Sequence, residues 1–469
     1  MDRWQNQEEA FQFAMTHSAC MLDMDMGTGK TRVAIDVAFE RTDVHKILVV
    51  CPKAVISVWR ENLLKFRSED DWTCWDRKTG SVNAKTEDLR SWMQCTTENE
   101  EKTGVKQKIF VVINYDAVWR GAMGDLVVKT GFDLVILDES HRAKAAGSKV
   151  SRYLALLGKR VKYRMCLSGT PMANSPLDVY GQYRFLDPEI FGTRHDFFLQ
   201  EFAIMGGPDR NFIVGYKNQN RLNAKFNSIA YHCKMADIAD KIKLPAKLPP
   251  TCRLVTLPNR DLKTMKELSK EFVAECSSGH IVVSNVLTKL LRLQQMCSGF
   301  CVVGDGIMEE KATRDMNTAK EDELCDILED VSITENVVVF CIFRHDLESI
   351  RRVCKKCGRQ YFELSGSENT LDEWKKEDGA VIGVQIQAGA EGVDMTKANR
   401  AIYYSLPHSL AMYNQSKARL YRPNQTRPVS FIHLIAENTV DVAMYRSLLK
   451  KEDIIEAIKQ GSFDIGYMY

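Results

Sequence analysis

No stretch of the 469-residue sequence approaches the roughly 20 consecutive apolar residues that a membrane-spanning helix needs, so a membrane protein of that kind is not expected. Strong charge of either sign is also missing. With 64 Lys and Arg against 62 Asp and Glu, the formal net charge of +2 argues against a chain that coats nucleic acid by bulk electrostatics. Met1-Asp2-Arg3-Trp4-Gln5-Asn6-Gln7 lacks the charged-then-apolar layout of a secretory leader, and an intracellular protein is expected. The 14 cysteines are scattered, often inside apolar runs such as Val339-Phe340-Cys341, which excludes the framework of a small disulfide-stapled domain and points to free thiols. The one close pair, Cys354 and Cys357, has no second CxxC to complete a four-ligand zinc site and reads as two cysteines at a helix end. Internal repeats, low-complexity tails and recognisable nuclease motifs are absent.

The composition, 45% hydrophobic and 27% charged, suits a globular enzyme, and the length calls for two or three domains. Short β-rich runs alternate with helical patterns at Cys20–Asp23, Lys46–Cys51, Ile109–Asn114 and Asp133–Leu137. The alternation resumes with Val337–Phe340, Gln360–Leu364, Val381–Val384, Arg400–Tyr404 and Val429–Leu434. Strands alternating with helices imply parallel sheets, hence two α/β lobes. Between them the apolar spacing turns helical, as in Leu287 to Leu293, with Pro245, Pro249 and Pro250 marking a linker. The expected organisation is a first lobe over 1–185, a helical insertion and linker over 186–300, and a second lobe over 301–469. Asp70 to Lys106 reads as a polar stretch within the first lobe. From Arg210 to Arg253, nine Lys or Arg face only Asp237 and Asp240, a local basic excess that could be a solvated helical surface.

Asp25-Met26-Gly27-Thr28-Gly29-Lys30-Thr31 follows an apolar strand and opens a helical run, the context a phosphate-binding loop requires. Gly27, Thr28 and Gly29 would let backbone amides turn toward phosphates. Lys30 would reach the β- and γ-phosphates, and the Thr31 hydroxyl would ligate Mg²⁺. Met24 stands where the general pattern has its first glycine. The second half of the site is the apolar run Phe132 to Leu137, which delivers Asp138 and Glu139 where ligands bind in open α/β sheets. Asp138 would hold Mg²⁺ and Glu139 would deprotonate the attacking water.

An ordered series of motifs then resembles the Swi/Snf-type translocases of helicase superfamily two, over nearly the whole chain. Gln7-Glu8-Glu9-Ala10 looks like an adenine-reading glutamine motif, Asp25 to Thr31 is the first helicase motif, and Val49 to Lys53 and Asn114-Tyr115-Asp116 resemble the next two. Asp138-Glu139-Ser140-His141 is a variant DEAH box. Ser168-Gly169-Thr170-Pro171 resembles motif III, with Asn174-Ser175-Pro176-Leu177 and Phe185 to Pro188 as its extension. Leu291 to Gln295 and Phe340 to Arg344 continue the series. Ala388 to Asp394 resembles motif V, and Gln415, Arg419, Arg422 and Gln425 keep the motif VI spacing. Ala418, Gln385, Gln387 and Tyr421 depart from the residues common in the family.

The resemblance implies two RecA-like lobes that use ATP and Mg²⁺, with Gln7, Gly392 and Asp394 adding to the nucleotide contacts. It further implies Arg419 and Arg422 as groups that stabilise the transferring phosphate, and Lys53, Thr170, Asn174, Arg344 and Gly389 as nucleic-acid contacts. The expected partner is double-stranded DNA rather than single-stranded DNA or RNA, for a monomeric motor of compact bacterial or viral type. A strand-separating helicase and an ATP-switched clamp on DNA or a polymerase are the alternatives.

Overall fold

The computed structural model describes residues 2–172, 175–206, 212–238, 244–277, 283–303, 312–389, 393–423 and 425–450. The chain divides into two compact units, Met1–Ile242 and Lys243–Tyr469. Among the described residues no helix is long and apolar enough to cross a membrane.

In the first unit the strands are β1 (Ala19–Met24), β2 (Lys46–Cys51), β3 (Trp72–Trp75), β4 (Lys108–Asn114), β5 (Leu134–Asp138), β6 (Tyr163–Ser168), the hairpin β7 (Ala203–Gly206) and β8 (Phe212–Tyr216), and β9 (Ala230–Cys233). Seven of them form one parallel sheet in the order β3-β4-β2-β5-β6-β1-β9. Helices cover both faces of such a sheet, so its inner strands are apolar throughout instead of alternating. Accordingly Leu134 to Asp138 of β5 is buried at every position, as is β1.

The second unit repeats the scheme with β10 (Thr251–Val255), the hairpin β11 (Phe300–Val303) and β12 (Ala312–Asp315), β13 (Val337–Cys341), β14 (Tyr361–Leu364), β15 (Val381–Gln385), β16 (Arg400–Tyr403) and β17 (Ser430–Ala436). Its six-stranded parallel sheet runs β10-β17-β16-β13-β15-β14. The α/β class and two parallel-sheet lobes are therefore as the sequence implies.

Two stretches differ from their sequence reading. Residues 186–300 carry helices, among them Asn259–Ser277 and Val283–Cys297, but the span is shared between the units: β9 closes one edge of the first sheet and β10 one edge of the second. These strands have four and five residues and mix buried with exposed positions, as suits edge strands paired on one side only, so they give no long apolar run. The polar stretch Asp70 to Lys106 holds the edge strand β3 and the 22-residue helix Val82–Thr103. Trp72 and Trp75 are buried there, and the Trp75 indole donates to Asp88 at 2.8 Å.

The N-terminal segment is fastened through one buried carboxylate. Asp36, on the helix Lys30–Glu40, accepts from Arg3 Nε (2.7 Å) and Arg32 Nε (2.9 Å) on Oδ2 and from Arg67 Nη2 (2.6 Å) on Oδ1. Arg3 also pairs with Glu8 and lies over the Phe11 ring. Burial alone would raise the Asp36 pKa, but the guanidinium hydrogen bonds hold it below the ordinary value. A carboxylate with a depressed folded-state pKa stabilises the fold above its unfolded pKa and loses that contribution as pH falls through the folded one. Asp36→Asn should cost about 3 kcal/mol at neutral pH by leaving buried guanidinium groups uncompensated. The deficit relative to wild type should shrink as the medium is acidified into the carboxylate range, measured by urea unfolding of the full chain. A deficit unchanged with pH would show that the ion pairs are not its source.

Candidate functional site

Parallel pairing puts the C-terminal ends of β5, β6 and β1 side by side on one edge of the first sheet. The loops that leave this edge carry the three sequence motifs with the most chemistry. β1 runs into Asp25–Gly29, and the helix Lys30–Glu40 starts directly after it. Gly27 and Gly29 have φ of 84° and 97°, a region that favours glycine. A Cβ on Gly29 would also lie 2.2 Å from Gln7 Nε2. Gln7 is thereby seated on the loop, where Asn6 Nδ2 donates to Thr28 O at 3.1 Å and Gln7 Oε1 accepts from Trp4 N at 3.2 Å.

Lys30 is buried, with Nζ donating to Met24 O (2.6 Å) and Asp25 O (3.2 Å) across the loop. Burial lowers its pKa, and Glu139, Asp138, Asp25 and Asp23 oppose the shift in that order. Thr31 is half-buried on the first turn of the helix. Positive-φ glycines, the start of a helix with its threonine hydroxyl, a buried lysine and the carboxylates whose charge reaches that lysine form a cradle that fits a nucleoside triphosphate and a hard divalent cation.

The acidic pair is held more firmly than its sequence suggests. Asp138 Oδ2 accepts from the indole N–H of Trp59 (2.9 Å), its Oδ1 from Glu139 N (3.0 Å), and its carbonyl from Tyr115 OH (2.9 Å). Burial, then the neighbouring Glu139, pushes the Asp138 carboxyl up to about 7, against the pull of Trp59 and Lys30. Glu139 sits at φ 51°, a left-handed conformation uncommon for a non-glycine residue that turns the chain out of β5. His141 Nδ1 stands 3.5 Å from Glu139 Oε2 and 3.4 Å from Ser168 Oγ, linking the end of β5 to the end of β6.

Three positions went unnoticed in the sequence. Trp59 lies in the amphipathic helix Ile56–Phe66, where a tryptophan signals core packing and nothing else. Gln182 is fully buried, accepts from Ser140 Oγ (2.6 Å) and donates to Pro171 O (2.7 Å), so it joins the acidic motif to Ser168–Pro171. At Gly181 a Cβ would meet Ala143 O at 2.2 Å, so its helix can lie against the turn Ser140–Ala143 only with glycine there. The single available signal was a buried-type helix with Gly-Gln at its centre, which has no chemical meaning until its neighbours are known.

The remaining candidates are placed as follows. Lys53 is exposed just past β2, and Thr170 is half-buried just past β6. Arg344 is exposed and opens the helix Arg344–Lys356, and Gly389 ends the short helix Ile386–Gly389. Asn174 and Gly392 lie outside the described residues. In the second unit Arg419 is buried, and Arg422 Nε donates to Ala418 O at 2.6 Å. Asp394 Oδ1 accepts from Thr396 N (2.8 Å) and Oγ1 (2.7 Å), holding the turn that leads to Met395. Much of the basic charge of residues 210–253 is engaged locally: Arg221 with Glu201, Lys234 with Asp23 and Asp25, Arg253 with Glu323, and Lys225 with the carbonyl of Ile190.

An acid whose folded pKa lies above its unfolded value binds more protons when folded, so its contribution to stability falls as pH rises between the two values. For Asp138 that window runs from the ordinary carboxylate range to about 7. Asp138→Asn, which mimics the protonated form, should therefore raise the Tm of the nucleotide-free chain above pH 7 by more than it does at pH 5. Equal shifts at both pH values would show that the buried charge is not the cause.

Comparison with known proteins places these residues in a family. The model described as SNF2-related domain matches residues 3–299, and that described as Helicase conserved C-terminal domain matches residues 319–424. The DNA repair and recombination protein RAD54-like of Gallus gallus is 22% identical over 495 residues, covering 95% of this chain and 65% of that protein, so the chain spans just under two thirds of this relative. A protein named as a helicase from Invertebrate iridescent virus 6 is 22% identical over 528 residues, covering 94% of this chain and 85% of that one. The solved Sulfolobus solfataricus SWI2/SNF2 ATPase core in complex with dsDNA is 20% identical, with 98% of this chain and 94% of that chain covered and a TM-score of 0.43. With a phosphate loop and an acidic pair on one sheet edge and a family match over more than half its length, the chain belongs to the SNF2-related family and is a helicase-like ATP-hydrolysing enzyme built on two RecA-like lobes.

Proposed function

We propose that the chain is an ATP-driven translocase that tracks double-stranded DNA and displaces what is bound to it. The observation that carries this reading is the shared edge of the first sheet. The groups for hydrolysis (Lys30, Thr31, Asp138, Glu139) and two candidate phosphate contacts (Lys53, Thr170) leave the same ends of parallel strands, and Gln182 and His141 connect the loop after β5, which carries Glu139, to the loop after β6, which carries Thr170. A loop that shifts on nucleotide turnover is then in mechanical contact with a loop that grips a backbone. Contacts of that kind carry no sequence information, as a motor requires.

In this mechanism Gln7 and the glycine loop seat the nucleotide, and Lys30 leaves the carbonyls of Met24 and Asp25 for the β- and γ-phosphates. Glu139 takes the proton of the attacking water, with Asp138 kept in place by Trp59 and Tyr115. Bound Mg²⁺, held by Thr31 and Asp138, would neutralise charge on the β- and γ-phosphate oxygens. Arg419 and Arg422 of the second lobe would stabilise the transferring phosphate on closure, with Gly392 and Asp394 adding nucleotide contacts. Alternating grip through Lys53, Thr170 and Asn174 and through Arg344 and Gly389 would then advance the protein. A monomer acting inside a cell, of the compact bacterial or viral type, completes this reading.

Support for tracking over unwinding comes from Trp72, Trp75 and Trp92. They are the tryptophans of the polar stretch that could have formed a strand-splitting wedge; Trp72 and Trp75 are buried in their own unit, and half-buried Trp92 packs against its core. Opening a duplex must supply about 1.4 kcal/mol of stacking per base-pair step. The protein should displace a triplex-forming strand from duplex DNA with ATP, yet leave a long forked duplex intact. Its ATPase should respond to duplex DNA more than to single-stranded DNA or RNA. Processive unwinding of the fork would transfer the assignment to the strand-separating helicases.

The chemical roles are separable. Glu139→Gln should bind ATP and hardly turn it over, and Lys30→Ala should lose nucleotide-dependent activity. Arg422→Ala should lower kcat by a factor on the order of 10³ at nearly unchanged nucleotide affinity. Trp59→Phe, which keeps the ring and removes the N–H, should raise the Mg²⁺ concentration needed for tight binding of a non-hydrolysable ATP analogue while leaving Mg²⁺-free nucleotide binding as in wild type. Fluorescence titrations with and without Mg²⁺ report the difference, and parallel curves would reduce Trp59 to a packing residue.

A further inference from the structure

The sequence offered Cys354 and Cys357 no metal-binding partners, because none stands nearby in the chain. The fold supplies them from another helix. Cys325 and Glu329 occupy successive turns of the helix Ala319–Asp330, and Cys357 caps the C-terminus of the helix Arg344–Lys356. The Sγ atoms of Cys325 and Cys357 are 2.8 Å apart, and Cys325 Sγ lies 3.6 Å from Glu329 Oε1. Among the described residues this is the one group of three His, Cys, Asp or Glu side chains whose donor atoms all lie within 4.8 Å of one another.

We propose that Cys325, Glu329 and Cys357 form a zinc site in the second unit, with solvent in the fourth position. Two sulfur donors select a soft or borderline cation, and a carboxylate oxygen is an accepted third ligand for zinc. Zn–S bonds of about 2.3 Å at a tetrahedral angle separate two sulfurs by roughly 3.8 Å. The sulfurs must therefore open by about an ångström, which half-buried Cys357 at a helix end can accommodate by side-chain rotation. The exposed carboxylate of Glu329 is already at a ligand-like distance. It separates this reading from a disulfide, in which a third donor has no part.

The donors are also held in advance of an ion. Arg359, two residues after Cys357 and buried, donates to the carbonyls of Leu328, Val331, Ser332, Glu335 and Gly379. Three of these carbonyls lie at or just past the end of the Cys325 helix, so that helix end is tied to the Cys357 turn. Arg344 opens the helix that Cys357 caps, and 13 residues place the two about 20 Å apart. The site is thus remote from Arg344, the nucleic-acid candidate that opens the same helix. Its expected effect is to fasten two helices, not to take part in hydrolysis.

The test uses the full untagged chain, reduced and stripped of metal, titrated with Zn²⁺ and with Co²⁺. Wild type should bind about one equivalent, with Co²⁺ giving the near-ultraviolet charge-transfer absorption of thiolate ligation. Cys357→Ser should abolish that absorption and Glu329→Gln should weaken Zn²⁺ binding at least tenfold, while Cys95→Ser, at an exposed cysteine elsewhere, should bind as wild type and all should keep the basal ATPase rate. Zn²⁺ should also protect Cys325 and Cys357 of the wild-type chain from alkylation, a readout independent of whether the variants fold. Equal alkylation with and without Zn²⁺, equal uptake by Cys357→Ser, or a Cys325–Cys357 disulfide that forms in air regardless of Zn²⁺ would overturn the proposal.

Discussion

Parallel strand pairing is the constraint from which the rest of this molecule follows. In a parallel sheet every strand ends on the same edge, so each loop that follows a strand opens onto one surface, while the return connections run as helices over the two faces. With β5, β6 and β1 adjacent in the first sheet, Asp138, Ser168 and Asp25 emerge side by side although more than a hundred residues separate the first strand from the others. The chemistry then depends on which residues occupy the first few positions after each strand. Those are the positions at which the motifs stand.

Placing such groups at the end of a buried strand has an electrostatic cost, and the packing around them shows how it is met. Lys30 and Asp138 are both withdrawn from water, and burial moves each toward its neutral form. Lys30 is compensated by the carboxylates around it and by two loop carbonyls, and Asp138 by an indole N–H and its own following amide. The same arrangement recurs at Asp36, where three guanidinium groups surround one carboxylate on the phosphate-loop helix. At Asp36 and Asp138 the partners come from elements distant in the chain, Arg3, Arg67 and Trp59 among them.

That distinction decides what could be read from the sequence. Unbroken apolar runs such as Ile47–Cys51 and Val337–Phe340 declare inner parallel strands, because burial on both faces erases alternation. The glycine loop and the acidic pair are legible because their geometry is local: positive φ at Gly27 and Gly29 and a turn at Glu139 are set within a few residues. The edge strands β3, β9 and β10 were not legible, since each has only four or five residues and a polar residue interrupts every one of them. The basic run 210–253 looked like one surface, yet Arg221, Lys234 and Arg253 each meet a different acidic partner.

What the sequence by itself determined is the α/β class, two parallel-sheet lobes and the places of the glycine loop and the acidic pair at strand ends. These rest on periodicity, on backbone freedom at glycine and on residue order along single strands and loops. The tertiary structure alone decided that Trp59 holds Asp138, that Gln182 joins two motif loops, and that Cys325 and Glu329 stand beside Cys357. Each of those is a contact between elements distant in the chain. A hydrogen bond or ligand set depends on where packed helices bring side chains to within about 3 Å of each other, and local spacing carries no information about that.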